Sequence, residues 1–290
     1  MDTNTESTTP GCWGDLDMAL RSGIDRILLY GQPGTGKTYY ALTTHLDYEG
    51  RTRPAYRVLC SPDMTTADVD GLWKPSKDDW KFAEGSALRA WRDGGRLILD
   101  ELDQASGDVL TALLLICDSD GSAVREHPET GARMTPAQGF QIIATTNAER
   151  LSDLPQNLVD RFPVRININT VNPAALDALP SHLRDIAKSY SERSRDRYSL
   201  RSFFAYDKLA SNLDRKTALR LVFGRESTAI NEALLVAELA SEADRGTTPT
   251  VPQESHTIRA DEAVKFETNA ESDDWCNGCD EMMSECSCDY

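Results

Sequence analysis

The sequence predicts a three-layer α/β domain built on a parallel sheet, followed by a small helical subdomain and an acidic, cysteine-containing tail. Three observations predict it. From Arg26 to about Ile168, short apolar runs alternate with helical patterns, the rhythm of parallel strands joined through helices. From Asn172 onward strand signals stop and only helical patterns follow. Between the first strand and the first helix lies GQPGTGKT, Gly31–Thr38, a glycine-rich turn of the kind that cradles phosphate. The expected division is 1–170 for the nucleotide-binding domain, 171–245 for the helical lid, and 246–290 for the linker and tail.

The strands read as RILLY (Arg26–Tyr30), YRVLC (Tyr56–Cys60), RLILD (Arg96–Asp100), FQIIATTN (Phe140–Asn147) and VRININ (Val164–Asn169). Lys37–Leu46 reads as the helix after the glycines. Asp108–Ser119 reads as another, with Ser106 as N-cap; its VLTALLLIC is apolar almost all round and is expected to be buried. PAALDALPSHLRDIAKSYSER, SLRSFFAYDKLASNL, DRKTALRLVFG and STAINEALLVAELASEA read as consecutive helices ending near Asp244. RGTTPTVPQES is linker-like, and no internal repeat stands out.

The chain has 290 residues, 40% hydrophobic and 27% charged, with a net charge of −16 from 31 basic and 47 acidic residues. That composition is ordinary for a globular protein and argues against a surface that coats nucleic acid. No apolar run approaches the roughly 20 residues of a membrane span. The polar, acidic start does not resemble a secretory signal, so the expected location is cytoplasmic. From Val251 to Tyr290 there are eleven acids against Arg259 and Lys265, nine net negative charges, which reads as a solvated tail.

The motif chemistry starts at the glycines. Gly31, Gly34 and Gly36 let backbone N–H groups curl toward an anion without Cβ clashes, and the next helix adds its positive N-terminal end. With Pro33 and Thr35 completing the loop, Lys37 can reach the β- and γ-phosphates and the Thr38 hydroxyl can hold Mg²⁺. GGRLILDELDQAS then places Asp100 and Glu101 at the C-terminal end of a buried strand, where open α/β sheets bind ligands. Asp100 suits Mg²⁺ through water, and Glu101 suits the role of general base on the attacking water. Asn147, past the end of the IIATT strand, is placed to meet the γ-phosphate or that water. LPQNLVDRFPV sets Arg161 on a short helix, and YSLRS sets Arg201 at the opening of a later one.

Together these motifs resemble an AAA+ ATPase, and within that class the MoxR/CbbQ/GvpN-like branch. GQPGTGKT is similar to the family's Walker A, LILDELD to its Walker B, ATTN to sensor 1, LPQNLVDRF to its L-P-E-A-x-L-D-R-F stretch and SLR to its sensor 2. The likeness covers about residues 15–240, with the motifs in family order. Gln156 and Asn157 stand where the family has Glu-Ala, and Leu200-Arg201 where it has Pro-Arg. The resemblance implies ATP and Mg²⁺ as ligands. It makes Arg161 an arginine finger for a neighbouring subunit, with Arg165 as the other trans candidate, and hence implies a homo-oligomeric ring, a hexamer. Residues 64–90 resemble the family's insert in the second helix, with Trp73 and Lys74 near a hairpin tip facing a pore; Trp80 and Phe82 are expected to pack that hairpin onto the domain. SDGSAVREHPETGARMTPAQ resembles a second family hairpin.

The tail spacing Cys276-x-x-Cys279-x₆-Cys286-x-Cys288 admits either a four-thiolate zinc site or a solvated acidic end. For function, the leading expectation is a ring ATPase that remodels or activates a protein client, in this family often a von Willebrand A domain protein. A nucleic-acid motor or packaging ATPase of McrB-like type is the alternative, disfavoured by the acidic charge. A small-molecule kinase is a third class, against which Glu101, Asn147 and the Arg161 motif argue.

Overall fold

The computed structural model describes residues 11–77, 79–119, 122–193 and 197–245. Five strands, β1 (Arg26–Tyr30), β2 (Ala55–Leu59), β3 (Arg96–Asp100), β4 (Gln141–Thr145) and β5 (Val164–Asn167), form one parallel sheet in the order β5-β1-β4-β3-β2. In the three central strands β1, β4 and β3, near-continuous apolar sequences go with burial on both faces. Successive side chains point to opposite sides. Leu28, Leu97, Leu99, Ile142 and Ala144 therefore pack with Trp91, Val109, Leu113 and Phe140. Ile27, Leu29, Ile98, Ile143 and Ile166 pack with Trp13, Leu16 and Ala41 on the other face. Each such fully buried Leu or Ile contributes about 1.5–3 kcal/mol, so the strand ends that carry polar groups sit on a rigid base.

A helical part follows, with helices Pro173–Asp177, Ser181–Ser191, Leu200–Ala210, Arg215–Phe223 and Ser227–Arg245. Leu183, Phe203, Phe223, Ile230 and Leu234 form its own core. Asn172 and Asp214 cap two of these helices through side-chain oxygens that accept from Ala175 N at 3.2 Å and Thr217 N at 3.0 Å.

Several elements differ from the sequence reading. The helix after the glycines is Lys37–Thr43, not Lys37–Leu46. Its expected last turn is instead strand Leu46–Tyr48, paired with Arg51–Arg53 across Glu49-Gly50, both at positive φ as a type I′ hairpin turn needs. The helix expected at Asp108–Ser119 is Gly107–Ile116; Ser106 holds the N-cap position without a side-chain capping bond, and Leu115 is 56% exposed rather than buried. Pro180 splits the segment read as one helix into two, because proline cannot supply an interior helix donor. Both expected excursions are hairpins: Gly71–Pro75 with Trp80–Glu84, and Arg125–Glu126 with Arg133–Met134. Phe82 packs edge-on to Trp73 and His127 at ring distances of 5.5 and 5.7 Å. Trp80 does not pack onto the domain; it shares the Phe82 face of the hairpin but stands at the turn end of the strand, opposite Pro75, and is 60% exposed.

Candidate active site

The parallel register sets the heights of the polar groups. Leu99 of β3 pairs with Ala144 of β4, so Asp100 and Thr145 emerge side by side at the C-terminal edge of the sheet. The glycine-rich turn leaves β1 at the same edge. The result is a cavity of about 650 Å³ lined by Pro33, Gly34, Gly36, Lys37, Thr38, Asp100, Glu101, Thr145 and Asn147 from the α/β part, and by Ala175, Ala178, Leu200, Arg201 and Phe204 from the helical part. That is the size of a small-molecule site.

Gly34 and Gly36 have φ of 76° and 102°, and each has a second reason to lack a side chain. A Cβ on Gly34 would lie 2.6 Å from Ser199 Cβ, and one on Gly36 2.8 Å from Asn172 Cβ. The turn is thus pressed between the phosphate cavity and the helical part. Asn172 N donates to Thr35 O at 2.8 Å, and Arg197 donates to the Pro33 carbonyl. Gly31 is buried against the Ile168 carbonyl.

Lys37 is 6% exposed. Its Nζ donates to the carbonyls of Gly31 and Gln32, both at 2.8 Å, and to Asn147 Oδ1 at 3.4 Å. Burial, reinforced by the positive charge of Arg197, pulls its pKa from 10.5 to about 8. Asn147 Nδ2 in turn donates to Glu101 Oε1 at 3.1 Å. Lysine, asparagine and glutamate therefore form one chain across the cavity. Glu101 sits at φ 56°, ψ 46°, a left-handed conformation rare for a residue with a side chain and concentrated at functional sites.

Asp100 Oδ1 accepts from the hydroxyls of Thr38 and Thr145, each at 2.6 Å, while Oδ2 takes the Arg57 guanidinium. Burial pushes the Asp100 pKa up, but hydrogen bonds from Thr145, Thr38 and Arg57 outweigh it and hold the carboxyl below its ordinary value. Thr38 and Asp100 form an oxygen-only donor pair that suits Mg²⁺. Among the described residues no group of three or more His, Cys, Asp or Glu could hold a metal by itself. Cys276, Cys279, Cys286 and Cys288 lie outside the described residues.

Arg201 opens its helix at the rim of the same cavity. Arg161 does not reach the cavity of its own chain. It follows the short helix Gln156–Val159 rather than sitting on it, and faces Asp118 at 3.7 Å in a separate hollow with Asp25, Arg26 and Asp160. Arg165 donates to the Phe162 carbonyl at 2.7 Å. Two residues here escape the motif reading. Thr145 bonds both Asp100 and the Glu101 N–H. Arg57 was signalled only by being a charge inside an apolar strand.

Residues 26–162, just under half of the chain, match the family described as AAA domain (dynein-related subfamily). A protein of Staphylococcus saprophyticus is 29% identical over 59% of this chain and 62% of its own length. One of Staphylococcus aureus is 32% identical over 48% of this chain and 53% of its own. The chain thus spans a little over half the length of these relatives. Among solved structures, NtrX from Brucella abortus aligns over 87% of this chain and 56% of its own, at 15% identity and a TM-score of 0.45. No helix among the described residues is long and apolar enough to cross a membrane. Residues 26–162 thus match an AAA domain, and the parallel sheet with the phosphate-binding turn at its edge has the form of an α/β P-loop ATPase core.

Proposed function

We propose that the chain is one subunit of an AAA+ ring of the MoxR/CbbQ/GvpN-like branch, and that ATP hydrolysis in it remodels or activates a protein client, such as one with a von Willebrand A domain. The observation that carries the reading is that Lys37, Thr38, Asp100, Glu101 and Asn147 meet in one cavity while Arg161 stands outside it. In this reading the backbone of Gly31, Pro33, Gly34, Thr35 and Gly36 cradles the phosphates, and Lys37 leaves its carbonyl partners for the β- and γ-oxygens. Glu101, oriented by the Asn147 amide, takes the proton of the attacking water. Thr38 and Asp100 would hold Mg²⁺, which would supply charge neutralisation at the phosphates. Arg201 adds charge from the lid. Arg161 serves the neighbouring subunit's nucleotide, which calls for a homo-oligomer, a hexamer in this branch. The proposed compartment is the cytoplasm.

The exposed hairpin gives a client surface, with Trp73 and Trp80 open to solvent beside Lys74, Lys77 and Lys81. The same combination of rings and cations favours the second reading, a nucleic-acid motor. A trap experiment separates them. Glu101→Gln protein with ATP is used to capture a client from native lysate, with and without nuclease. Recovery of a nuclease-resistant protein partner, weakened by Trp73→Ala at unchanged ATP hydrolysis, supports remodelling. Nuclease-sensitive recovery with DNA- or RNA-stimulated turnover overturns it in favour of the motor.

A further inference from the structure

Arg57 has no part in the chemistry assigned above, yet it touches its centre. It lies in the middle of β2, in register with Ile98 of β3. Asp100 is two residues beyond Ile98, so the two side chains leave the same face as diagonal neighbours. Arg57 Nε donates to Asp100 Oδ2 at 3.2 Å and Nη2 donates to the same oxygen. The carboxylate is thereby divided, with Oδ1 given to two hydroxyls and Oδ2 to one guanidinium. The partners differ in setting: the carboxylate side chain is 6% exposed and the arginine 44%. The guanidinium stands in the wall between the phosphate cavity and a neighbouring hollow that holds Asp63 and Asp68.

A half-exposed arginine adds little to stability through one ion pair. Its effect on the carboxylate is larger. A divalent cation drawn to Asp100 meets a fixed like charge on the same group. We propose that Arg57 is a positioning residue for hydrolysis: it fixes the Asp100 carboxylate with Oδ1 toward Thr38 and, by sharing its charge, loosens the site's hold on the divalent cation. The proposal rests on the ATPase reading of this cavity.

The test uses full-length Glu101→Gln protein saturated with ATP, with free Mn²⁺ counted by electron paramagnetic resonance, so that no turnover is needed. Adding Arg57→Met should tighten Mn²⁺ binding at least fivefold, on the order of tenfold. Arg57→Lys, which keeps the charge and loses the fork, should fall between. With Glu101 intact, Arg57→Met should lower kcat as the carboxylate loses its orientation, while the thermal midpoint moves little. Mn²⁺ affinity that is unchanged or weaker in Arg57→Met overturns the proposal, whatever the turnover. Failure of the parent protein to bind ATP would instead overturn the nucleotide reading beneath it.

Discussion

Lys37 makes nucleotide affinity depend on pH in a way that follows from its burial. Its pKa of about 8 means that below pH 8 the ammonium is charged and held by three acceptors, and above it the amine is neutral. Phosphate oxygens arriving at Nζ favour the charged form and raise the pKa back toward 10.5. Between those values binding takes up a proton, so affinity falls as pH rises. With a free pKa near 8, the expected loss between pH 7 and pH 9 is about tenfold, or ~1.4 kcal/mol. Proton uptake should grow from about 0.1 to about 0.9 per nucleotide over the same range. Stability without nucleotide moves the other way: the unfolded chain binds the proton more tightly, so this group makes the fold more stable as pH rises from about 8 to 10.5. The assay is calorimetric titration of ATP into Glu101→Gln protein, in two buffers of different ionisation enthalpy at each pH. Lys37→Met should bind weakly at every pH and show no uptake. Constant affinity with no buffer dependence up to pH 9 would refute the argument that desolvation sets the lysine's charge.

Glu101→Gln should keep ATP binding and lower hydrolysis by at least ~100-fold, as loss of a general base does; undiminished phosphate release would remove Glu101 from that role. Arg161→Ala should bind nucleotide normally and hydrolyse it poorly, and mixing it with Glu101→Gln should restore activity at interfaces that combine both intact groups. A monomer fully active under ATP contradicts the sharing of sites. Gly34→Ala should cost roughly 1–3 kcal/mol in thermal unfolding, from its positive φ and the Ser199 approach, with partial recovery on adding Ser199→Gly; full recovery would mean that φ is not at issue. If the cysteine spacing forms the zinc site it admits, protein purified under reducing conditions should carry about one zinc per chain, lost in Cys276→Ser/Cys279→Ser with ATPase activity retained. Metal analysis that finds no zinc leaves the acidic-tail reading in place of the metal site.

What was legible in the sequence was whatever depends on short-range pattern. The sheet strands are apolar runs, and the glycine turn and the Asp100-Glu101 pair are local signatures, so their placement at one sheet edge followed from the α/β rhythm. The misreadings come from contacts between distant segments or from turn chemistry with weak signals. Glu49-Gly50 makes the same tight turn as the more familiar Asn-Gly, and without that cue the strand after Thr43 passes for helix. Thr145 is one of a pair of adjacent threonines, and only the β3–β4 register makes it the partner of Asp100. Arg57 acquires its role because β2 is the neighbour of β3, which no motif spacing encodes. Trp80 shows the limit of composition, since a tryptophan is expected to be covered and this one faces solvent.

A chain with a net charge of −16 that takes a polyanion must build a positive field locally, and the structure shows how that is arranged. Lys37 comes from the turn, Arg57 from the sheet, and Arg197 and Arg201 from the helical part. Packing Lys37 away from water and near Arg197 costs free energy, which the lowered pKa records. That cost is offset when phosphate supplies the missing negative charge, so nucleotide binding relaxes a strained electrostatic state as well as adding hydrogen bonds. Arg197 spans the two parts of the chain, holding the Pro33 and Ser191 carbonyls at once. Relief of the Lys37–Arg197 repulsion by nucleotide would favour the attachment of the helical part to the phosphate turn. In the proposed ring, with Arg161 acting on the neighbouring subunit's nucleotide, a lid held more firmly when nucleotide is bound would offer that neighbour a fixed surface, and hydrolysis would loosen it.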